Sequence, residues 1–179
     1  MTEATLAAFQ EECQSLFACF VFSVSGMHDR GKQIKKSRPT EANRVFIGPK
    51  DPMLHRPTAA INARLLIANL SEGGLYSDQL AKSLLVMIFS RWDEFYRPSI
   101  AEDLGVGKNA IKSNLMGALR ILRNIIVHAN SMIAEKHARQ LSTLGWELAP
   151  GIIIITEKMM EQFIELTHDI DVKVEDGAT

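Results

Sequence analysis

Hydrophobic residues recur at helical spacing over most of this chain, and where that period lapses the sequence turns to Gly, Pro and Lys. The first apolar series runs from about Leu6 to Val24 and predicts a helix, with Ser25-Gly26 as its stop. From His28 to Thr58 the pattern disappears among Pro39, Pro49, Pro52 and Pro57. This predicts a long surface excursion with no more than a short strand at Val45-Phe46-Ile47. Ala59 to Leu70 reads as a second helix closed by the Glu72-Gly73-Gly74 turn. A third helix is expected from an N-cap at Ser77 or Asp78. It carries the stripe Leu80, Leu84, Ile88, Trp92 and Phe95 and ends at Arg97, because Pro98 follows.

The longest stripe is Ile111, Leu115, Leu119, Leu122, Ile126, Ala129 and Ile133, which predicts a central fourth helix starting near Lys108. Pro150-Gly151 then break the chain, and Ile152 to Ile155 form a short β-branched run. Thr156 is placed to cap a last helix bearing Met160, Phe163, Ile164 and Thr167. No internal repeat or linker divides the sequence. The expectation is therefore one all-α domain over residues 1–179: a helical bundle with a long irregular segment (28–58) between its first two helices and a short β-like run near the C-terminus.

Composition changes this picture little: 179 residues at 46% hydrophobic suffice for one core and are neither disordered nor fibrous. The run Leu16 to Val24 is too short to cross a bilayer and follows Glu11 and Glu12 rather than a basic leader, so a cytoplasmic protein without a membrane partner is expected. Cys13 and Cys19 lack metal-ligand spacing and are expected to be buried thiols in a reducing compartment. The formal net charge of -1 argues against a surface built throughout to grip nucleic acid. The charge is nevertheless uneven, with +5 between His28 and Lys50 and -5 from Glu157 to Thr179. The basic run, with Lys35, Lys36 and Arg38 inside it, reads either as a solvated loop or as a patch that tracks an RNA backbone.

Candidate chemistry lies in Leu122-Arg123-Asn124-Ile125-Ile126-Val127-His128, which sets an Arg, an amide and a His on an apolar helix. Asn124 and His128 stand one turn apart and can meet. Arg123 and His128 are about 140° apart and do not naturally form a close pair within one helix. With Arg120 and Val127 they share a face away from the core stripe. Arg carries a planar donor fork suited to phosphoryl oxygens, and His exchanges protons near neutrality. RNA supplies its own 2′-OH nucleophile, so such a set suffices for cleavage with no metal and no cofactor. In the plainer reading Asn124 and His128 satisfy each other while Arg123 reaches solvent.

The spacing of Arg123, four residues and His128, with Asn124 following the Arg, resembles the signature of the HEPN superfamily. The resemblance extends from about Trp92 to Ile170. Trp92-Asp93-Glu94-Phe95-Tyr96-Arg97 looks like the "WE..YR" helix end of one bacterial group, and Met116 to Asn124 looks like its "GDLR.LRN" lead-in. It implies a compact helical homodimer that brings two copies of the motif helix into one cleft. It further implies a metal-independent endoribonuclease of toxin or defence type with Arg123, His128 and Asn124 as catalytic residues, Arg120 as a further RNA contact, and a protein inhibitor or antitoxin as a partner. Ala118 stands where that group often has Asp, which removes a supporting acid. Asn130 stands where HEPN toxins silenced by nucleotidyltransferases carry Tyr, so that control is not expected here.

Two other readings compete. One is a non-catalytic RNA- or nucleotide-binding or scaffold module using the same face. The other is a helix-turn-helix DNA-binding regulator over Ile100 to Ile111, with Lys108, Asn109 and Lys112 toward DNA. Against the latter, Asn114 falls where a recognition helix should pack an apolar residue. Gly105-Val106-Gly107-Lys108-Asn109 lacks the first Gly and the Ser or Thr of a phosphate loop. His28, His55, His137 and His168 are scattered and expected at the surface or in caps, and Trp92 and Tyr96 are expected in the core.

Overall fold

The computed structural model describes residues 2–48 and 57–175. Residues 49–56 of the expected excursion, His55 among them, and Asp176 of the acidic end lie outside the described residues. The fold is mostly α-helical, with three two-stranded antiparallel pairings at its edges.

Helix α1 spans Thr2–Lys36 and does not stop at Ser25-Gly26. The predicted stop fails because burial outweighs local propensity. Phe20, Val24 and Gly31 continue the inward face begun by Phe9 and Cys13, and a mid-helix Gly costs only about 1 kcal/mol. At Gly31 a Cβ would lie 3.2 Å from the Leu70 Cβ, so the missing side chain lets α1 approach α2 (Ala63–Asn69). Strand β1 (Arg44–Ile47) forms where a short strand is expected at Val45-Phe46-Ile47, and it pairs with β2 (Ala59–Asn62), which reads from sequence as the start of a helix. Asn62 caps α2 by accepting from the N–H groups of Arg64 and Leu65.

Helix α3 (Leu75–Arg91) starts two residues before the expected caps. Asp78 is instead buried: its Oδ2 pairs with Lys82 Nζ at 2.7 Å and its Oδ1 accepts from the Ile155 N–H at 2.7 Å. Nor does Pro98 end the helix. A π turn, Trp92–Tyr96, intervenes, with the Arg97 N–H bonding back to the Trp92 carbonyl. The chain continues as α4 (Arg97–Leu104), where Pro98 sits in the first turn and needs no N–H. The extra residue in this turn rotates the stripe. Trp92 and Tyr96 are buried, as expected, whereas Phe95 faces solvent with 54% of its surface exposed.

Gly105, at φ 67°, closes α4. The central helix α5 then covers Asn114–His128, a shorter span than Lys108 to Ile133. Lys108–Ala110 form one 3₁₀ turn, and β3 (Ile111–Lys112) pairs with β6 (Lys173–Val174). Ser113 caps α5 by accepting from the Met116 N–H. Beyond His128 the backbone reverses through positive φ at Asn130 and Ser131, and the Ser131 N–H closes on the Ile125 carbonyl. Asn tolerates that conformation, and its local chain reversal stops the apolar period before Ile133. Strand β4 (Met132–Ile133) pairs with β5 (Gly151–Ile152) after a short helix α6 (Glu135–Gln140), which carries no apolar stripe and was not expected. Of the β-branched run, Ile153 and Ile155 are buried while Ile152 and Ile154 are exposed, the alternation of extended chain. Thr156 caps α7 (Glu157–His168), as expected.

The core joins Phe9, Cys13 and Phe20 of α1, Leu85 and Ile88 of α3, Leu115, Leu119 and Leu122 of α5, and Met160, Phe163 and Ile164 of α7. Burial pushes the Cys13 thiol up to about 12, with the Glu12 charge adding to it, so it stays protonated. Cys19 lies on the solvent face of α1, contrary to expectation, because six residues carry it about 240° round the helix from Cys13. Among the described residues no helix is long and apolar enough to cross a membrane.

Candidate functional site

The geometry around α5 corrects one expectation directly. Arg123 and His128 form a close pair within one helix: Arg123 Nη1 lies 3.2 Å from His128 Nε2 and donates to Asn124 Oδ1 at 3.0 Å. Three methylenes and a guanidinium are long enough to span the angular gap that backbone projection suggested was prohibitive. His128 closes the helix, and its side chain leans back over the preceding turn toward Arg123. Asn124 and His128 thus meet through Arg123, with no hydrogen bond between them among the described residues. An Arg N–H can only donate, so this contact is a hydrogen bond only while Nε2 is unprotonated. Arg123 Nε is shielded from solvent without a partner.

Arg123 and Asn124 also line an open groove of about 430 Å³ between α5 and the π turn, together with Phe89, Ser90, Asp93, Glu94, Arg97, Lys108, Asn109 and Arg120. A smaller cavity of about 100 Å³ extends it past Arg120 toward Lys112 and Ser113, sharing Phe89, Asp93, Arg97 and Arg120. The groove wall is a charge network. Asp93 accepts from Arg97 Nη1 at 2.9 Å and Lys108 Nζ at 2.9 Å, while Arg97 Nε donates to the Ile111 carbonyl at 3.0 Å. Partial burial pushes the Asp93 carboxyl up, but the Lys108 and Arg97 hydrogen bonds and charges outweigh it and hold the group below its ordinary range. Arg97 and Lys108 therefore share the one carboxylate of Asp93 and are held in ion pairs. Arg120 and Arg123 pair with no carboxylate among the described residues and remain the cations offered to a ligand.

Behind the groove, Glu12 of α1 accepts from the Tyr96 hydroxyl at 2.6 Å and from Arg91 Nε at 2.8 Å. Burial and this bond together raise the Tyr96 hydroxyl to about 12, so it remains a donor. The network locks the π turn to α1 and thereby fixes where Asp93 and Arg97 stand.

The other basic residues singled out from sequence are not part of this site. Lys35 and Lys36 end α1 and Arg38 follows it, whereas Glu12 of the same helix packs at the π turn. At 1.5 Å per residue the separation along the axis is about 35 Å. The groove residues missed from sequence are Phe89, Ser90, Asp93, Glu94 and Arg97, while Lys108 and Asn109 stand out from sequence only as contacts to DNA. Asp93 and Arg97 had a legible signal, an acid and an Arg four residues apart at a helix end. Lys108 had none, because its partner is reached only through the fold.

For the helix-turn-helix reading, the residues that would open a recognition helix are the 3₁₀ turn and strand of Lys108 to Lys112. Lys108 is held by Asp93, and Lys112 lies 3.8 Å from Glu175. His137 caps α6 through Nδ1, His168 meets Gln14, and His28 lies 3.7 Å from Glu157; His128 does not line the groove itself but is the imidazole in contact with Arg123, which does, among the described residues. No group of three His, Cys, Asp or Glu suited to a metal ion occurs among the described residues. A larger cavity, about 820 Å³, lies instead between α1, α3 and α7; Glu72, Glu157 and Glu161 outnumber Lys158 there, which disfavours a phosphate ligand. Comparison with known protein families, curated proteins and solved structures finds no match to this chain.

Proposed function

We propose that this protein is a metal-independent endoribonuclease in which His128 transfers protons and Arg123 binds the scissile phosphate. The observation that carries the reading is the Arg123 guanidinium held between Asn124 Oδ1 and His128 Nε2 at a groove whose lining, Arg97, Lys108, Arg120 and Arg123 against Asp93 and Glu94, is net positive. An incoming phosphate exchanges the Nη1 donor from His128 to a non-bridging oxygen. That releases the Nε2 lone pair for the substrate in the same motion that neutralises the phosphate. His128 then takes the proton of the 2′-OH, the 2′-oxygen bonds to phosphorus, and the P–O5′ bond breaks, leaving a 2′,3′-cyclic phosphate and a 5′-OH. Asn124 holds the guanidinium in plane.

The leaving 5′-oxygen needs a proton from a second acid, and each chain sets one imidazole, His128, against the groove-lining Arg123. A homodimer with the α5 ends facing each other supplies the other. Val127 on one side of His128, Met132 and Ile152 on the β4–β5 pair that follows, and Ile154 just beyond it are exposed apolar residues suited to covering by a second copy. Toxin or defence use, with a protein inhibitor as partner, is the biological setting that the HEPN-like motif suggests for such an activity.

A second reading, binding of RNA without cleavage, is favoured by one feature: the Nε2 lone pair is occupied by Arg123. Incubating RNA with the protein in EDTA separates the two. Products ending in 2′,3′-cyclic phosphate support the nuclease. Retention of intact RNA by wild-type protein, weakened in Arg123→Ala, supports the binding module.

A further inference from the structure

The groove beside Arg120 carries more than charge. Phe89, half-buried on α3, lines both the main groove and its extension. Around it stand the hydroxyl of Ser90, the carboxylate of Glu94 and the amides of Asn109 and Asn124. A volume of about 430 Å³ lies within the range of small-molecule sites, which is about 300–1,000 Å³. An aromatic wall, several polar groups able to read an edge and an unneutralised Arg form a combination that a phosphate alone does not require. Inorganic phosphate has no flat apolar face to set against Phe89. A folded duplex has no base free to enter.

We infer that this groove is a subsite for one unpaired nucleotide of a single-stranded RNA, its base against Phe89 and its phosphate toward Arg120. Base edges are read in single strands by stacking on aromatic side chains together with polar contacts to the edge. Glu94 is exposed and, when ionised, accepts only, so it selects for bases that turn N–H groups toward it. Asn109 and Asn124 offer both donors and acceptors. Arg120 lies one helical turn from Arg123 on the groove side of α5, so a phosphate at Arg120 and one at Arg123 belong to neighbouring positions of one strand. The inference rests on the ribonuclease reading for its consequence, a base preference beside the cut, but nucleotide binding itself needs no cleavage.

The test is calorimetric titration of the full chain with each of the four ribonucleoside 5′-monophosphates and, separately, with inorganic phosphate, alongside cleavage-site mapping on an unstructured RNA. At least one monophosphate is expected to bind about tenfold tighter than phosphate. Phe89→Leu should abolish that advantage, and Glu94→Gln should change the ranking of the four bases. Arg120→Ala should weaken nucleotides and phosphate by the same factor. Glu94 is exposed, so its variant remains decisive if Phe89→Leu does not fold. Monophosphates that bind no tighter than phosphate, or a ranking unmoved by Glu94→Gln, would overturn the subsite. Base-selective binding without RNA cleavage leaves the subsite standing and removes the nuclease. Cleavage with no base preference, and no response to Glu94→Gln, removes the subsite and leaves the nuclease.

Discussion

Arg123 Nη1 and His128 Nε2 lie 3.2 Å apart at the exposed end of α5, a cation and an imidazole in contact on one chain. That contact is compatible only with an unprotonated Nε2, so a proton or a phosphate must displace the other partner.

If His128 is the proton-transfer group, His128→Ala lowers the rate of RNA cleavage by about 10²-fold to 10⁴-fold. The thermal midpoint should move little, since the side chain is exposed. Single-turnover cleavage of a labelled oligonucleotide in EDTA measures it. Equal rates for both proteins would assign the activity to a contaminant.

Arg123→Lys keeps the charge but loses the planar guanidinium, whose Nη1 contacts both Asn124 and His128 while its other end is left for phosphoryl oxygens. The expected loss in kcat/KM is about 10²-fold, comparable with removal of one transition-state donor. A Lys variant retaining full activity would show that charge alone is sufficient and that the fork has no role.

Asp93 should give the protein an acid-sensitive component of stability. Its folded pKa lies below the ordinary aspartate value of 3.8, so the stabilisation is complete above that value and is lost as pH falls through the folded pKa. Thermal midpoints from pH 5 to pH 2 are expected to fall less steeply for Asp93→Asn than for wild type, from a lower starting point. Parallel curves would mean that the Arg97 and Lys108 contacts contribute nothing to the native state.

Lys82→Met leaves the Asp78 carboxylate buried without its ion-pair partner. Breaking a buried pair in this way costs about 3–5 kcal/mol. Chemical denaturation should show that loss. Asp78→Leu combined with Lys82→Met should recover part of it, less the hydrogen bond that Asp78 accepts from the Ile155 N–H.

Light scattering at micromolar concentration tests the proposed assembly. The wild type should have the mass of two chains. Ile152→Glu, at a residue with 70% of its surface exposed, should give one chain, the same thermal midpoint and much slower cleavage. A monomeric wild type that still cleaves would remove the composite cleft and confine the chemistry to a single His128.

Much of the helical framework was legible before any coordinates. Leu115, Leu119 and Leu122 are buried as their spacing requires, and Thr156 caps α7 as its hydroxyl and position suggest. The failures have two causes, a local signal overruled by distant packing and a local backbone irregularity that periodicity does not reveal. Ser25-Gly26 did not break α1 because Phe20, Val24 and Gly31 had a continuous surface to cover, and Pro98 did not break α3–α4 because a π turn accommodated it. Of the site, Arg123, Asn124 and His128 were legible as chemistry, but their pairing was misjudged because backbone angle was weighed without side-chain length.

Helical periodicity, caps and the Arg-Asn-His set are written within a few consecutive residues, since helix hydrogen bonds and side-chain faces are set by neighbours three to five positions away. The groove is not local in that way. It exists because Asp93 meets Lys108 across 15 positions and Tyr96, in the same π turn as Asp93, meets Glu12 across 84. Which partners meet at those separations depends on how whole faces pack. The chain alone could therefore nominate Arg123 and His128, while only the packed structure could decide that they touch and that Arg120, Phe89 and Glu94 stand beside them.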